Sequence, residues 1–106
     1  LHGVRVPKPL GDFLCLQVMR DSDGFGVMVS DDDVSDTRAM VAREEGFHLG
    51  PEGAACLVAY RQALRAGRIT KSDQAIIFNC GNGLKSDLPP MDRSIDRHET
   101  IDFGSL

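Results

Sequence analysis

Two stretches of this chain read as β-strand, and two strands do not make a self-sufficient sheet. The stronger one lies in QAIIFNCGNGLK, residues 74–85, where an apolar run over 75–78 stops in Gly81-Asn82-Gly83. A short continuous apolar run of this kind suits a strand buried on both faces of a parallel sheet. The Gly-rich turn after it would bring bare backbone and one side chain, Cys80, to the carboxyl edge of that sheet, where open α/β sheets bind ligands. The same letters also suit a buried strand followed by a plain turn. The second stretch, 26–30, carries Val27, Met28 and Val29. Both read as interior strands, so the rest of their sheet should come from other polypeptide.

Between and around the strands the pattern is helical. Leu10, Phe13, Leu14, Leu16, Val18 and Met19 give residues 10–20 a broad apolar face, which predicts a mostly buried helix stopped by Asp21-Ser22-Asp23-Gly24. Ser30 with Asp33 three residues on forms a capping-box pattern, and Asp31, Asp32 and Asp33 suit the positive end of the helix dipole. That helix should run to Glu45 and end at Gly46. The acidic cluster lacks the spacing of a calcium loop. After a link at 47–50, Pro51 suits the first position of a third helix. Gly53, Ala54 and Ala55 let its start approach another backbone or a ligand closely. It carries Leu57, Val58, Tyr60 and Leu64 and should stop at Gly67, with Arg61, Arg65 and Arg68 on its more solvated side. The order is α-β-α-α-β, an α/β class with an incomplete parallel sheet. Residues 1–88 read as one portion of a larger domain. Residues 89–106, with Pro89-Pro90 and many charges, form an irregular tail.

Composition narrows the function. At 106 residues the chain is one domain or part of a larger one, able to bury roughly 65% of its unfolded surface if it folds compactly. A net charge of −4 without a Lys/Arg block argues against nucleic acid or an anionic membrane surface as partner. No apolar run approaches a membrane span, and the N-terminus does not resemble a signal peptide. Cys15, Cys56 and Cys80 are odd in number and lack ligand spacing, as do His2, His48 and His98. Reduced thiols of a cytoplasmic protein are expected, with no metal site. The chain starts at Leu1, so either processing or residues that belong before it are expected.

The motifs VRVPKPLGDFLCLQVMRDSDGFGVMVSDDDV, AREEGF, PEGAACLVAYRQALRAG and FNCGNGLK occur in that order over residues 4–85. Together they resemble the C-terminal part of threonine synthase, within the tryptophan synthase β-subunit-like family of pyridoxal-phosphate enzymes. The resemblance implies that residues 1–88 are the C-terminal portion of the cofactor-binding catalytic domain of a fold-type II enzyme, a lyase of amino-acid biosynthesis converting O-phosphohomoserine and water to threonine and phosphate. It places Cys80 where the family offers a neutral side chain, usually a threonine or serine, to the cofactor's pyridine nitrogen. Gly81 would let the turn pass close to the ring, as would Gly83, and Asn82 stands where serine, asparagine or histidine is usual. Related dehydratases acting on serine or threonine carry a cysteine at this position. A dehydratase-like activity is therefore the alternative, alongside a non-catalytic remnant acting by association.

The family's Schiff-base lysine and glycine-rich phosphate loop have no counterpart here. Lys8, Lys71 and Lys85 lie in other motifs. The resemblance thus implies a catalytic residue set outside this chain and a fragment inactive alone. Pyridoxal phosphate would be bound by the complete enzyme and not by this chain. The expected partners are the missing N-terminal portion, an amino-acid substrate, and further copies in a homo-oligomer.

Overall fold

A computed structural model describes residues 3–88 and 94–105. Three α-helices account for most of the regular structure. They are α1 (Asp12–Asp21), α2 (Asp31–Glu45) and α3 (Pro51–Arg65), followed by single 3₁₀ turns at Gly83–Lys85 and Phe103–Ser105.

The helix ends follow from local chemistry. Ser30 is extended, and its hydroxyl accepts from the Asp33 backbone N–H at 3.1 Å. The same hydroxyl donates to the Asp33 carboxylate at 2.7 Å, so the expected cap forms. Gly46 ends α2 at φ 71°, a left-handed conformation that glycine adopts without a Cβ penalty. Pro51 opens α3 as expected. Beyond α3, the N–H of Gly67 donates to Leu64 O and that of Arg68 to Ala63 O, both bonds of a Schellman motif around Gly67 at φ 66°. The end of α1 shows the same pair of bonds, Asp23 N–H to Arg20 O and Gly24 N–H to Met19 O. There the left-handed position is held by Asp23 at φ 52°, one of the few side chains that tolerates it.

Among the described residues, the one extensive packing between helices is α2 against α3. Val34 and Val41 of α2 bury against Ala54, Ala55 and Val58 of α3, and Leu49 from the link closes the cluster. Alanines at 54 and 55 let the helices approach, so this core is close but thin. Among the described residues no large side chain is fully buried.

Three expectations are corrected. First, α1 is not buried: none of its residues is, and Leu10, Phe13, Leu14 and Val18 are all more than half exposed. Its apolar face exists as the pattern requires, but nothing among the described residues buries it. Second, no strand forms among the described residues. Residues 26–30 and 75–78 carry no ladder, because each needs a partner that the other does not supply. Ile76 is 92% exposed and Met28 93%. Third, Arg61 is half-buried rather than solvated, with its Nη2 3.0 Å from the Met40 sulfur between α2 and α3.

The radius of gyration is 17.6 Å, against about 13 Å for a compact domain of this length. The uncovered apolar surface and this extension have one cause: among the described residues, extensive helix packing is confined to the α2–α3 pair. In the tail, 94–105 is exposed as far as its side chains are described and has no regular structure beyond the second 3₁₀ turn. Residues 1, 2, 89–93 and 106, which include His2 and Pro89-Pro90, lie outside the described residues.

Candidate functional site

The Gly-rich turn does not hang free. It docks on the link that enters α3. The Gly83 N–H donates to the His48 carbonyl at 2.8 Å, and Leu49 and Asn82 form an isolated antiparallel bridge. Asn82 then starts the 3₁₀ turn: its side-chain oxygen accepts from the Leu84 N–H at 2.9 Å, an Asx-type cap. Lys85 N–H to Asn82 O at 3.2 Å and Ser86 N–H to Gly83 O at 3.0 Å complete the turn.

Small residues make this docking sterically allowed. A Cβ on Gly50 would lie 2.7 Å from the Gly81 carbonyl oxygen, and one on Gly53 2.5 Å from the Asn79 side-chain oxygen. The expectation of a close approach at the start of α3 is met at Gly53, where the neighbour is the Asn79 side chain; the backbone of the turn is met one residue ahead of the helix, at Gly50.

Arg38 of α2 fastens the arrangement. Its Nε donates to Leu49 O at 3.1 Å, and its Nη2 reaches Gly83 O at 3.5 Å. One guanidinium thus spans both sides of the link–turn junction. Sequence reasoning missed Arg38, since an arginine in a polar helix signals nothing. It also assigned no role to Asn79. The adjacent Gly53 was a clue to close approach but not to which residue approaches.

The three residues singled out as cofactor contacts differ in what they present. The Cys80 thiol is exposed. Gly81 has open space on its side-chain face, where an added Cβ would meet nothing within 4 Å, while its carbonyl faces Gly50. Asn82 is exposed, but its oxygen is engaged in the turn. Cys80 and Gly81 therefore offer an uncovered wall on a turn whose back is fixed. An open depression of about 730 Å³ flanks the other end of the turn, lined by Arg38, Pro51, Glu52, Leu84, Lys85, Ser86 and Asp87. Cys80 is not part of it. Among the described residues no three His, Cys, Asp or Glu side chains gather as metal ligands. No helix of the described residues is long and apolar enough to cross a membrane.

Comparison with known proteins gives these residues a setting. No family model matches the chain, and no solved structure does. Over 83 residues, 78% of the chain, it is 24% identical to a threonine synthase of Methanocaldococcus jannaschii and covers 20% of that protein. Over 83 residues, also 78% of the chain, it is 26% identical to a threonine synthase of Bacillus sp. strain ULM1 and covers 24% of it. The chain is thus distantly similar to a part of threonine synthase, and it spans about a fifth to a quarter of the length of these curated relatives.

Proposed function

We propose that this chain is one portion of a threonine synthase-like, pyridoxal-phosphate-dependent lyase of the fold-type II α/β class. In this reading the complete enzyme converts O-phosphohomoserine and water to threonine and phosphate in the cytoplasm. The supporting observation is the Cys80–Gly81 wall: an exposed thiol beside a glycine with open space, on a turn held from behind by the start of α3. That arrangement fits one side of a pocket whose other side belongs to further polypeptide. The uncovered faces of α1 and of residues 26–30 and 75–78 fit the same reading, since a parallel sheet supplied from outside would bury them.

When bound, the cofactor supplies an electron sink that lets phosphate leave and water add. The residues of this chain orient and exclude. Cys80 would sit against the pyridine nitrogen, where a thiol is a weak donor and weak acceptor and leaves that nitrogen largely unprotonated. Gly81 would let the ring approach the backbone. Asn82 would keep the turn in shape through its bond to Leu84. The lysine that anchors the cofactor and the loop that holds its phosphate would come from the missing N-terminal portion, so this chain by itself would neither bind the cofactor nor turn over substrate.

The cysteine favours a second reading, a serine or threonine dehydratase-like activity on the same fold. A protein made from the whole reading frame, assayed with O-phosphohomoserine and with threonine, separates the two. Phosphate release marks the synthase, and ketoacid formation without it marks the dehydratase. A frame that encodes neither an anchoring lysine nor a glycine-rich phosphate loop would leave only the non-catalytic remnant acting by association.

A further inference from the structure

We infer that Arg38 is a positioning residue for the turn that carries Cys80, an inference that rests on the functional reading above. The turn touches the rest of the molecule through backbone. Gly83 donates to His48 O, Asn82 bridges to Leu49, and Gly81 O stands against Gly50. Two residues of antiparallel pairing are a weak joint by themselves, since an isolated bridge has no ladder on either side to share the load. Arg38 is the side chain that reaches both halves of the joint, donating to Leu49 O on the link and toward Gly83 O on the turn. A guanidinium is suited to this because its donors are fixed in one plane and stay charged at any working pH. Arg38 itself is half-buried in α2, which packs on α3, so the clamp ties the turn to the helix pair that carries the buried cluster.

The geometry has a consequence for the exposed wall. Cys80 lies three residues before Gly83, and its thiol is free and exposed. The position of the thiol is therefore set by the Gly81–Gly83 backbone, and through it by Arg38. Loss of the clamp would let the turn lift from α3 without unfolding the helices. In the complete enzyme this would move the group facing the pyridine nitrogen.

The test compares Arg38→Met, which keeps the apolar stem and removes the donors, with Arg38→Lys, which keeps one charged donor. Amide hydrogen exchange on the chain should show the Gly83 N–H exchanging about tenfold faster in Arg38→Met, the scale of one charge-assisted hydrogen bond. The Val58 N–H within α3 should stay within about twofold, and Arg38→Lys should recover part of the protection. Equal acceleration at Gly83 and Val58, or none at Gly83, would overturn the clamp. In the protein made from the whole reading frame, Arg38→Met should keep its content of pyridoxal phosphate but shift the visible absorption maximum. An unmoved maximum with a loosened Gly83 overturns the positioning role and leaves the functional reading standing. Failure of the unsubstituted protein to bind pyridoxal phosphate is instead the failure of that reading.

Discussion

Gly83 and Leu49 stand so close that a Cβ on Gly83 would lie 2.6 Å from the Leu49 carbonyl oxygen and 2.9 Å from that of His48. Both obstructing atoms are backbone, held by the bridge and by the Gly83–His48 bond, and neither can swing aside. Gly53 is also tight, at 2.5 Å from Asn79 Oδ1, but there the obstacle is the end of a side chain. Gly83→Ala should therefore cost about 2 kcal/mol, in the range of overpacking, and detach the turn. Gly53→Ala should cost less, because Asn79 can rotate and a helical Gly→Ala exchange returns about 1 kcal/mol. Urea unfolding followed by circular dichroism measures both. Adding Asn79→Ala should relieve Gly53→Ala and leave Gly83→Ala unchanged; the opposite pattern would mean that side-chain crowding limits both sites.

Ser30→Ala should destabilise by about 1 kcal/mol, the usual worth of a side-chain N-cap. The bond at risk is the 3.1 Å contact from the Asp33 N–H. Asp33→Asn should cost less, since it leaves the hydroxyl free to accept that N–H. Unfolding midpoints for the two variants give the comparison, and equal losses would show that the Ser30–Asp33 side-chain bond is the larger contributor.

Which features were legible in the letters follows from how local their causes are. The Ser30 cap, the stops at Gly46 and Gly67 and the Pro51 start depend on neighbours within a few positions, and all appear in the structure. The apolar stripe of α1 was equally legible, but burial depends on what lies opposite, and nothing among the described residues does. For the same reason residues 26–30 and 75–78 show strand composition without strand pairing. At the candidate site the pattern marked Cys80, Gly81 and Asn82, yet their support was hidden. Arg38 finds its partners 11 and 45 positions away, and both are carbonyls, which every residue has.

The exposed face of α1 makes a distinction that stability measurements can read. Phe13→Ser and Leu14→Ser should change the stability of this chain by no more than about 0.5 kcal/mol, as for surface positions. Val58→Ala, in the α2–α3 core, should cost about 1–3 kcal/mol. If the α1 face is instead an interface completed by other polypeptide, the same serine substitutions should be severe in the protein made from the whole reading frame. Pairing the two measurements separates an inherently polar-tolerant surface from a face that waits for cover.

Asp73 closes the turn after α3 by accepting from the Thr70 backbone N–H at 2.6 Å and from its hydroxyl at 3.0 Å. These bonds, the backbone one foremost, hold its carboxyl below the ordinary value of 3.8. A depressed folded value means that the carboxylate stabilises the turn at pH above the unfolded value, and that this stabilisation fades as pH falls through the folded one. Thr70→Val removes only the hydroxyl, so it should raise the Asp73 value part of the way back. Titration of the Asp73 carboxyl carbon by NMR follows this directly. A titration unmoved by the substitution would assign the whole shift to the backbone bond.

Cys80 carries the prediction closest to function. Its thiol is exposed and the turn behind it is fixed, so a small exchange at this position should alter what the turn presents and leave the fold alone. On the functional reading proposed above, Cys80→Ser in the protein made from the whole reading frame should keep activity, because a hydroxyl would also offer a neutral group to the pyridine nitrogen. Cys80→Asp would place a carboxylate there, favour a proton on that nitrogen, and reduce phosphate release from O-phosphohomoserine by about tenfold or more, the effect of one misplaced charge at a reacting centre. Thermal midpoints of both variants should match the unsubstituted protein, which separates the chemical effect from a folding defect. Equal activity of the serine and aspartate variants would show that residue 80 does not face the nitrogen, and the cofactor wall would have to be sought elsewhere on the turn.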